Sequence, residues 1–206
     1  IKIPTVSFRR IDTPYDDSGR RLYAAVVSVK HLADELADWR KINPRVANTR
    51  TSVSRDIRDT LDTAPEMFLF RNRGITLLVE KADFDPKTNT VTLELSDKNR
   101  NGMLDGGHTY QVIKEYLESL PKDEIQGYDS HVKLEILEGF PELHEVVSVV
   151  EALNTSRQVQ QQGIEELRGN YEKIKEILKD QPYAARVSYK EFELAEDGTR
   201  KDIDVK

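Results

Sequence analysis

Two adjacent glycines, Gly106 and Gly107, separate a short apolar run ending at Leu104 from a stretch with apolar residues at helical spacing. Tyr110, Ile113, Tyr116, Leu117 and Leu120 fall on one helix face. The pair predicts a sharp strand-to-helix turn, since glycine reaches backbone angles that other residues avoid. It also leaves main-chain N–H groups open to a ligand at a helix N-terminus, where partial positive charge favours phosphate or carboxylate. His108 and Thr109 would aim polar side chains at such a ligand. The same residues also read as a plain tight turn capped by Asp105 or Thr109. The pattern is neither a Gly-Lys-Ser/Thr phosphate loop nor a Gly-x-Gly-x-x-Gly dinucleotide fingerprint.

Strands and helices mix along the rest of the chain. Residues 3–11 and 21–29 are expected to be extended, and Val29, Leu32, Leu36 and Trp39 predict a helix ending near Asn43, before Pro44. A short helix capped by Ser54 should bury Ile57 and Leu61. Residues 67–96 read as a β-hairpin: Met67 to Phe70 lead in, residues 74–80 continue, Asp85 to Asn89 turn, and Thr90 to Leu95 return with strict alternation. His131 to Leu137 is another strand, Leu143 to Leu153 a helix, Ile164 to Leu178 a longer one, and Ala185 to Leu194 a last strand. The fold class expected is α/β (α+β), a mixed sheet with covering helices.

Two further segments carry clustered polar groups. Phe70-Arg-Asn-Arg-Gly-Ile-Thr76 sets Arg71 and Arg73 around Asn72 immediately before a glycine, which is equally the signature of a β-bulge. Glu151-Ala-Leu-Asn-Thr-Ser-Arg-Gln158 puts Asn154 and Arg157 at a helix junction, as an anion clamp or as ordinary capping.

Composition removes several chemistries. With no cysteine there is no disulfide framework, thiolate zinc site or thiol catalysis. The four histidines, His31, His108, His131 and His144, are scattered without ligand spacing, so no metal site is expected. There is no Gly-x-Ser-x-Gly elbow, and Lys133-Leu-Glu135 reverses the order of a restriction-type nuclease strand. A net charge of −6 argues against a uniformly basic coat, although Arg40, Lys41, Arg45, Arg50, Arg55 and Arg58 cluster locally. No apolar run approaches the roughly 18 residues that span a bilayer. A cytoplasmic location without membrane partners is expected. The opening Ile1-Lys-Ile-Pro4 and the end at Lys206 lead us to expect a piece of a longer protein.

Taken in order, these segments resemble the AIPR (abortive infection phage resistance) family of bacteria. The family's Asn-Arg element is matched by Asn43-Pro-Arg45. Its next stretch is matched by Thr60-Leu61, Pro65, Phe68 and Asn72-Arg-Gly-Ile-Thr76. Its Asn-Gly-x-Gln-Thr helix opening is matched by Asp105-Gly-Gly-His-Thr109, and its Asn-x-Ser/Thr-x-Gln element by Leu153-Asn-Thr-Ser-Arg-Gln158. Arg73, Asp105 and His108 stand where the family has Asn, Asn and Gln. His108 draws the loop towards the Asp-Gly-x-His-Arg pattern of the ParB/sulfiredoxin-like superfamily, with Thr109 in place of its Arg. That resemblance implies an N-terminal part, 1–66, followed by a ParB/sulfiredoxin-like core, 67–206. It also implies a pocket that binds a nucleotide in ParB proteins. Sulfiredoxin chemistry would need a cysteine.

The reading these features favour is a phage-defence domain that binds nucleic acid or a nucleotide. Gly106, Gly107, His108 and Thr109 would hold the anion, Asn154 and Arg157 would close the pocket, and Arg71, Asn72 and Arg73 would line its rim. In an enzymatic alternative, His108 is a general base beside Asp105, which holds a metal such as Mg2+ for hydrolysis of a nucleotide or nucleic acid. In a third, the chain is a scaffold for a defence-system or phage protein.

Overall fold

The computed structural model describes residues 1–43, 51–155, 169–189, 195 and 201–205. It divides into two compact units, Ile1–Thr155 and Ser156–Lys206. In the first, the strands are β1 (Lys2–Pro4), β2 (Ser7–Ile11), β3 (Arg21–Ser28), β4 (Ile75–Val79), β5 (Lys81–Asp85), β6 (Thr90–Glu94), β7 (Gly102–Asp105) and β8 (His131–Glu138). The helices are α1 (Ser52–Thr63), α2 (Phe68–Arg71), α3 (Gly107–Ser119), α4 (Lys122–Gly127) and α5 (Leu143–Thr155).

The main sheet has the order β2-β3-β8-β4-β7. β8 pairs antiparallel with β3 from Arg21↔Glu138 to Ser28↔His131 and parallel with β4 from Ile75↔Leu134 to Val79↔Glu138. The sheet is therefore mixed, as expected, and joins strands from both sides of residue 66. Along β8, Val132, Leu134 and Ile136 alternate with more exposed polar residues and enter the core. β4 is covered on both faces. Ile75, Leu77 and Val79 pack with Met103, Val112 and Ile113, while Leu78 packs with Leu104, Val146 and Val150 of α5. A central strand buried on both faces needs the near-continuous apolar run Ile75-Thr-Leu-Leu-Val79.

β5 and β6 form the expected hairpin about Asp85–Asn89, but β1, not residues 74–80, completes its three-stranded sheet. The run 74–80 belongs to the main sheet instead, because its residues bury both faces. Three other local expectations change. Phe68–Arg71 is a short helix rather than a strand, entered through Pro65. Val29–His31 and Asp34–Trp39 are two 3-10 turns rather than one helix, broken by extended backbone at Leu32 and Ala33. Thr51, not Ser54, caps α1: its Oγ1 accepts the Ser54 N–H at 3.1 Å, and Ser54 is buried.

One buried carboxylate ties the two sheets together. Glu138, at the end of β8, accepts hydrogen bonds from Arg21 Nη1 at 2.7 Å, Tyr23 Oη at 3.1 Å and the Ala82 N–H of β5 at 2.9 Å. Burial and the neighbouring carboxylate push the Tyr23 pKa up, so the hydroxyl stays a donor.

The second unit contains α6 (Glu172–Leu178) and the parallel pair β9 (Val187–Ser188) and β10 (Ile203–Asp204), flanked by an Arg186–Asp202 ion pair. Residues 164–168 of the expected last helix and 190–194 of the expected last strand lie outside the described residues. No described helix is long and apolar enough to cross a membrane.

Replacing Glu138 by Ala strands Tyr23 Oη and the Ala82 N–H, at about 1–3 kcal/mol per buried donor left without an acceptor. Urea unfolding should therefore show a loss of at least about 2 kcal/mol, with Glu138→Gln milder because it keeps one acceptor. A midpoint unchanged in Glu138→Ala would refute this linkage.

Candidate functional site

The glycine loop sits where three backbones converge. Gly106 has φ +85°, and a Cβ there would lie 2.5 Å from the Gly74 carbonyl oxygen and 2.7 Å from Ile75 Cα. Gly74 has φ +94°, and its Cβ would lie 2.6 Å from the Lys133 carbonyl oxygen of β8. Neither position admits a side chain. The loop is thereby pressed onto the start of β4, and the Gly106 carbonyl accepts the Tyr110 N–H at 2.9 Å to open α3. Tyr110 Oη donates towards the Ala33 and Asp34 carbonyls, each at 3.1 Å, anchoring that first turn. Burial first, then the Asp34 charge, pushes its pKa up to about 12.

Asn72 joins this loop to the arginine segment. Its Oδ1 accepts the Gly74 N–H at 2.8 Å and the Thr109 hydroxyl at 3.2 Å, and the residue is only 9% exposed. Because a backbone N–H must meet an oxygen, the amide orientation follows, and Nδ2 is left as the donor. Among the described residues Nδ2 has no acceptor. Arg71 and Arg73, on either side, are exposed, and neither has a carboxylate within 4.0 Å among the described residues.

These groups line one groove. A cavity of about 260 Å³ is bordered by Asp56 and Ile57 of α1, Phe68, Arg71, Asn72 and Arg73. A second, of about 250 Å³, is bordered by Asn43, Thr51, Asp105, Gly106, Gly107 and His108. Both share Val53, Ile57, Arg73 and Thr109, so they adjoin along α1. The first turn of α3 carries no acidic residue, although Asp105, just before the turn, lines the same cavity.

The structure thus brings together Arg71, Asn72, Arg73, Asp105, Gly106, Gly107, His108 and Thr109. Asn154 lies in the last turn of α5, with its side chain outside the described residues, as is Arg157. Among the described residues, no three His, Asp or Glu side chains converge as a metal site. Sequence reasoning missed the α1 wall and Asn43, whose Nδ2 lies 3.2 Å from where a Gly107 Cβ would be. A signal was present in α1: Val53, Ile57 and Leu61 share one face. Leu61 is fully buried while Val53 is 39% exposed, so the stripe leaves the core just where the groove begins.

A family model described as AIPR protein matches residues 41–202, most of the chain and every residue lining the groove. No curated protein and no solved structure matches the chain.

The two glycines should respond differently. Gly106→Ala is strained by positive φ and meets backbone, costing about 1–3 kcal/mol. Gly107→Ala has helical backbone and meets side chains alone, the Asn43 amide at 3.2 Å and Met103 Sδ at 4.0 Å, so it should be near neutral in thermal unfolding. Equal stability of the two variants would contradict the close approach of Gly106 to Gly74.

Proposed function

From the premise that this chain belongs to the AIPR family, we propose that it is a phage-defence domain that binds nucleic acid or a nucleotide in the groove between α1 and α3. Membership of a family named for abortive infection phage resistance supports the defence role. The observation that carries the ligand class is Asn72 Nδ2, a buried donor set between the cations Arg71 and Arg73, none of the three having an acceptor or ion-pair partner among the described residues. A phosphate group would satisfy all three, with bidentate guanidinium contacts. The amides of Gly107 to Thr109 would take a second anionic oxygen at the other end of the groove. Val53, Ile57 and Phe68 supply an apolar wall for a base or sugar face. The ParB/sulfiredoxin-like character of the core is part of this proposal, supported by the β7–Gly106-Gly107–α3 unit. So are closure of the pocket by Asn154 and Arg157 and engagement of a defence-system or phage protein.

A second reading has one observation in its favour: His108 and Asp105 border the same cavity. In that reading His108 takes a proton from water and Asp105 holds a divalent cation against the phosphate. Turnover of labelled RNA, DNA or nucleotides with Mg2+ or Mn2+ that disappears in His108→Ala would establish it. Binding without turnover would leave the groove a recognition site.

For the leading reading, fluorescence anisotropy with labelled oligonucleotides and nucleotides is decisive. Arg71→Ala and Arg73→Ala should each weaken binding about tenfold, the worth of one charge-assisted hydrogen bond. If the ligand is polymeric, log affinity should fall linearly with log salt, with a shallower slope in the variants. Affinity unchanged in the double variant would sink the assignment.

A further inference from the structure

A second buried amide lies at the other end of β4. Asn101, 9% exposed, immediately precedes β7. Its Oδ1 accepts the N–H groups of Ser96 at 3.0 Å and Asp97 at 3.2 Å. Two backbone donors on one atom identify that atom as the oxygen, so Nδ2 is the group left over. Among the described residues it meets no acceptor, and Asn101 lines a cavity of about 390 Å³. That is within the roughly 300–1,000 Å³ typical of small-molecule sites. Val79 borders this cavity and Gly74 borders the groove, so about 17 Å of strand separates them.

The charges around Asn101 are also unmatched. Arg100, half-buried, and the carboxylates Glu80 and Asp97 line the same cavity, yet no Arg100 ion pair forms within 4.0 Å among the described residues. The turn holding them is defined, since the Asp97 carbonyl accepts the N–H groups of both Arg100 at 3.0 Å and Asn101 at 2.7 Å. Asp97 Oδ1 is used by Asn99, which leaves Oδ2. Two carboxylates against one guanidinium disfavour a simple anion. Phe140 also lines the cavity, but Arg20 lies over its ring at 5.8 Å and is itself paired with Glu145, so the ring is not a free platform for a sugar. What fits separated, unpaired charges of both signs is a molecule that carries both.

We propose that this cavity is a second ligand site, for a free zwitterionic amino acid. Its carboxylate meets Arg100 and Asn101 Nδ2, and its ammonium group faces Glu80 and Asp97. The three charged side chains sum to −1, which favours a basic amino acid. L-lysine is therefore the first probe.

Calorimetric titration of the intact chain should show saturable binding of L-lysine. Nα-acetyl-L-lysine and L-lysine amide, each lacking one of the two charges, should bind at least tenfold more weakly. Arg100→Gln and Glu80→Gln should each cost about tenfold, the worth of one charge-assisted contact. Asn101→Asp keeps an oxygen that caps Ser96 and Asp97 while replacing the donor with a negative charge that repels the ligand carboxylate, so it separates lost binding from lost folding; it too should weaken binding. Arg71→Ala, in the other groove, should leave lysine binding unchanged. The proposal is overturned by absence of saturable binding, by equal affinity in Arg100→Gln, or by tighter binding of glucose or inorganic phosphate than of lysine.

Discussion

The groove depends on the Asn72 side-chain oxygen. It accepts from Gly74 in the turn before β4 and from Thr109 in the first turn of α3, so one atom sets the distance between the arginine segment and the glycine loop. Each bond has a modest net worth of about 1 kcal/mol. Their consequence is larger, because both land on positions that packing already restricts. Gly74 lies against Lys133 of β8, and Gly106 lies against Gly74. Asn72 therefore orients a stack of three backbones rather than merely joining two loops. The same geometry leaves its Nδ2 without an acceptor among the described residues, between Arg71 and Arg73 in sequence.

Ion pairing explains how net charge and local charge part company. The chain carries −6 overall, yet many of its charges cancel in exposed pairs such as Arg10–Asp16, Lys175–Glu172 and Arg186–Asp202. Such pairs contribute little stability. Their effect is to mute the field over much of the surface. Arg71 and Arg73 are outside these pairs and stand with Asp56 and Asp105 on the groove walls, so the groove carries separated charges of both signs instead of sharing the chain's net negative charge.

Much of this was legible from sequence where a single local rule governed. The turn at Gly106–Gly107, the α3 stripe, the alternation of β8 and the β5–β6 hairpin each follow from residues close in the chain. The errors came where distant packing decided. Met67 to Phe70 has β-forming residues, but Pro65 and the buried Phe68 make it helical against the sheet. Residues 74–80 were paired with their sequence neighbour, whereas their double-sided burial takes them to β7 and β8. The helix α1 and the helix break near Asn43 were readable as elements but not as a wall of the groove. Nothing in a linear pattern says which face of a helix meets a loop some fifty residues on. Asn101 carries no signal in the linear pattern, since an amide with half its capacity filled is visible only once its partners are placed.

The strand between these two amide-lined cavities is short and its register is locked. β7 has glycine at its first residue, Gly102, and Gly106 follows its last. A Cβ on Gly102 would collide with the Trp39 carbonyl, and one on Gly106 with Gly74. Sliding β7 by one residue would drive a side chain into one of these backbones, and would also turn Met103 and Leu104 to the wrong faces of the sheet. Glycine is thus used here for close approach as much as for turning. Because the strand cannot shift, Asn101 at one end and His108 and Thr109 beyond the other keep fixed positions relative to β4. Two sites on opposite ends of one buried strand can then be built without either depending on a mobile loop.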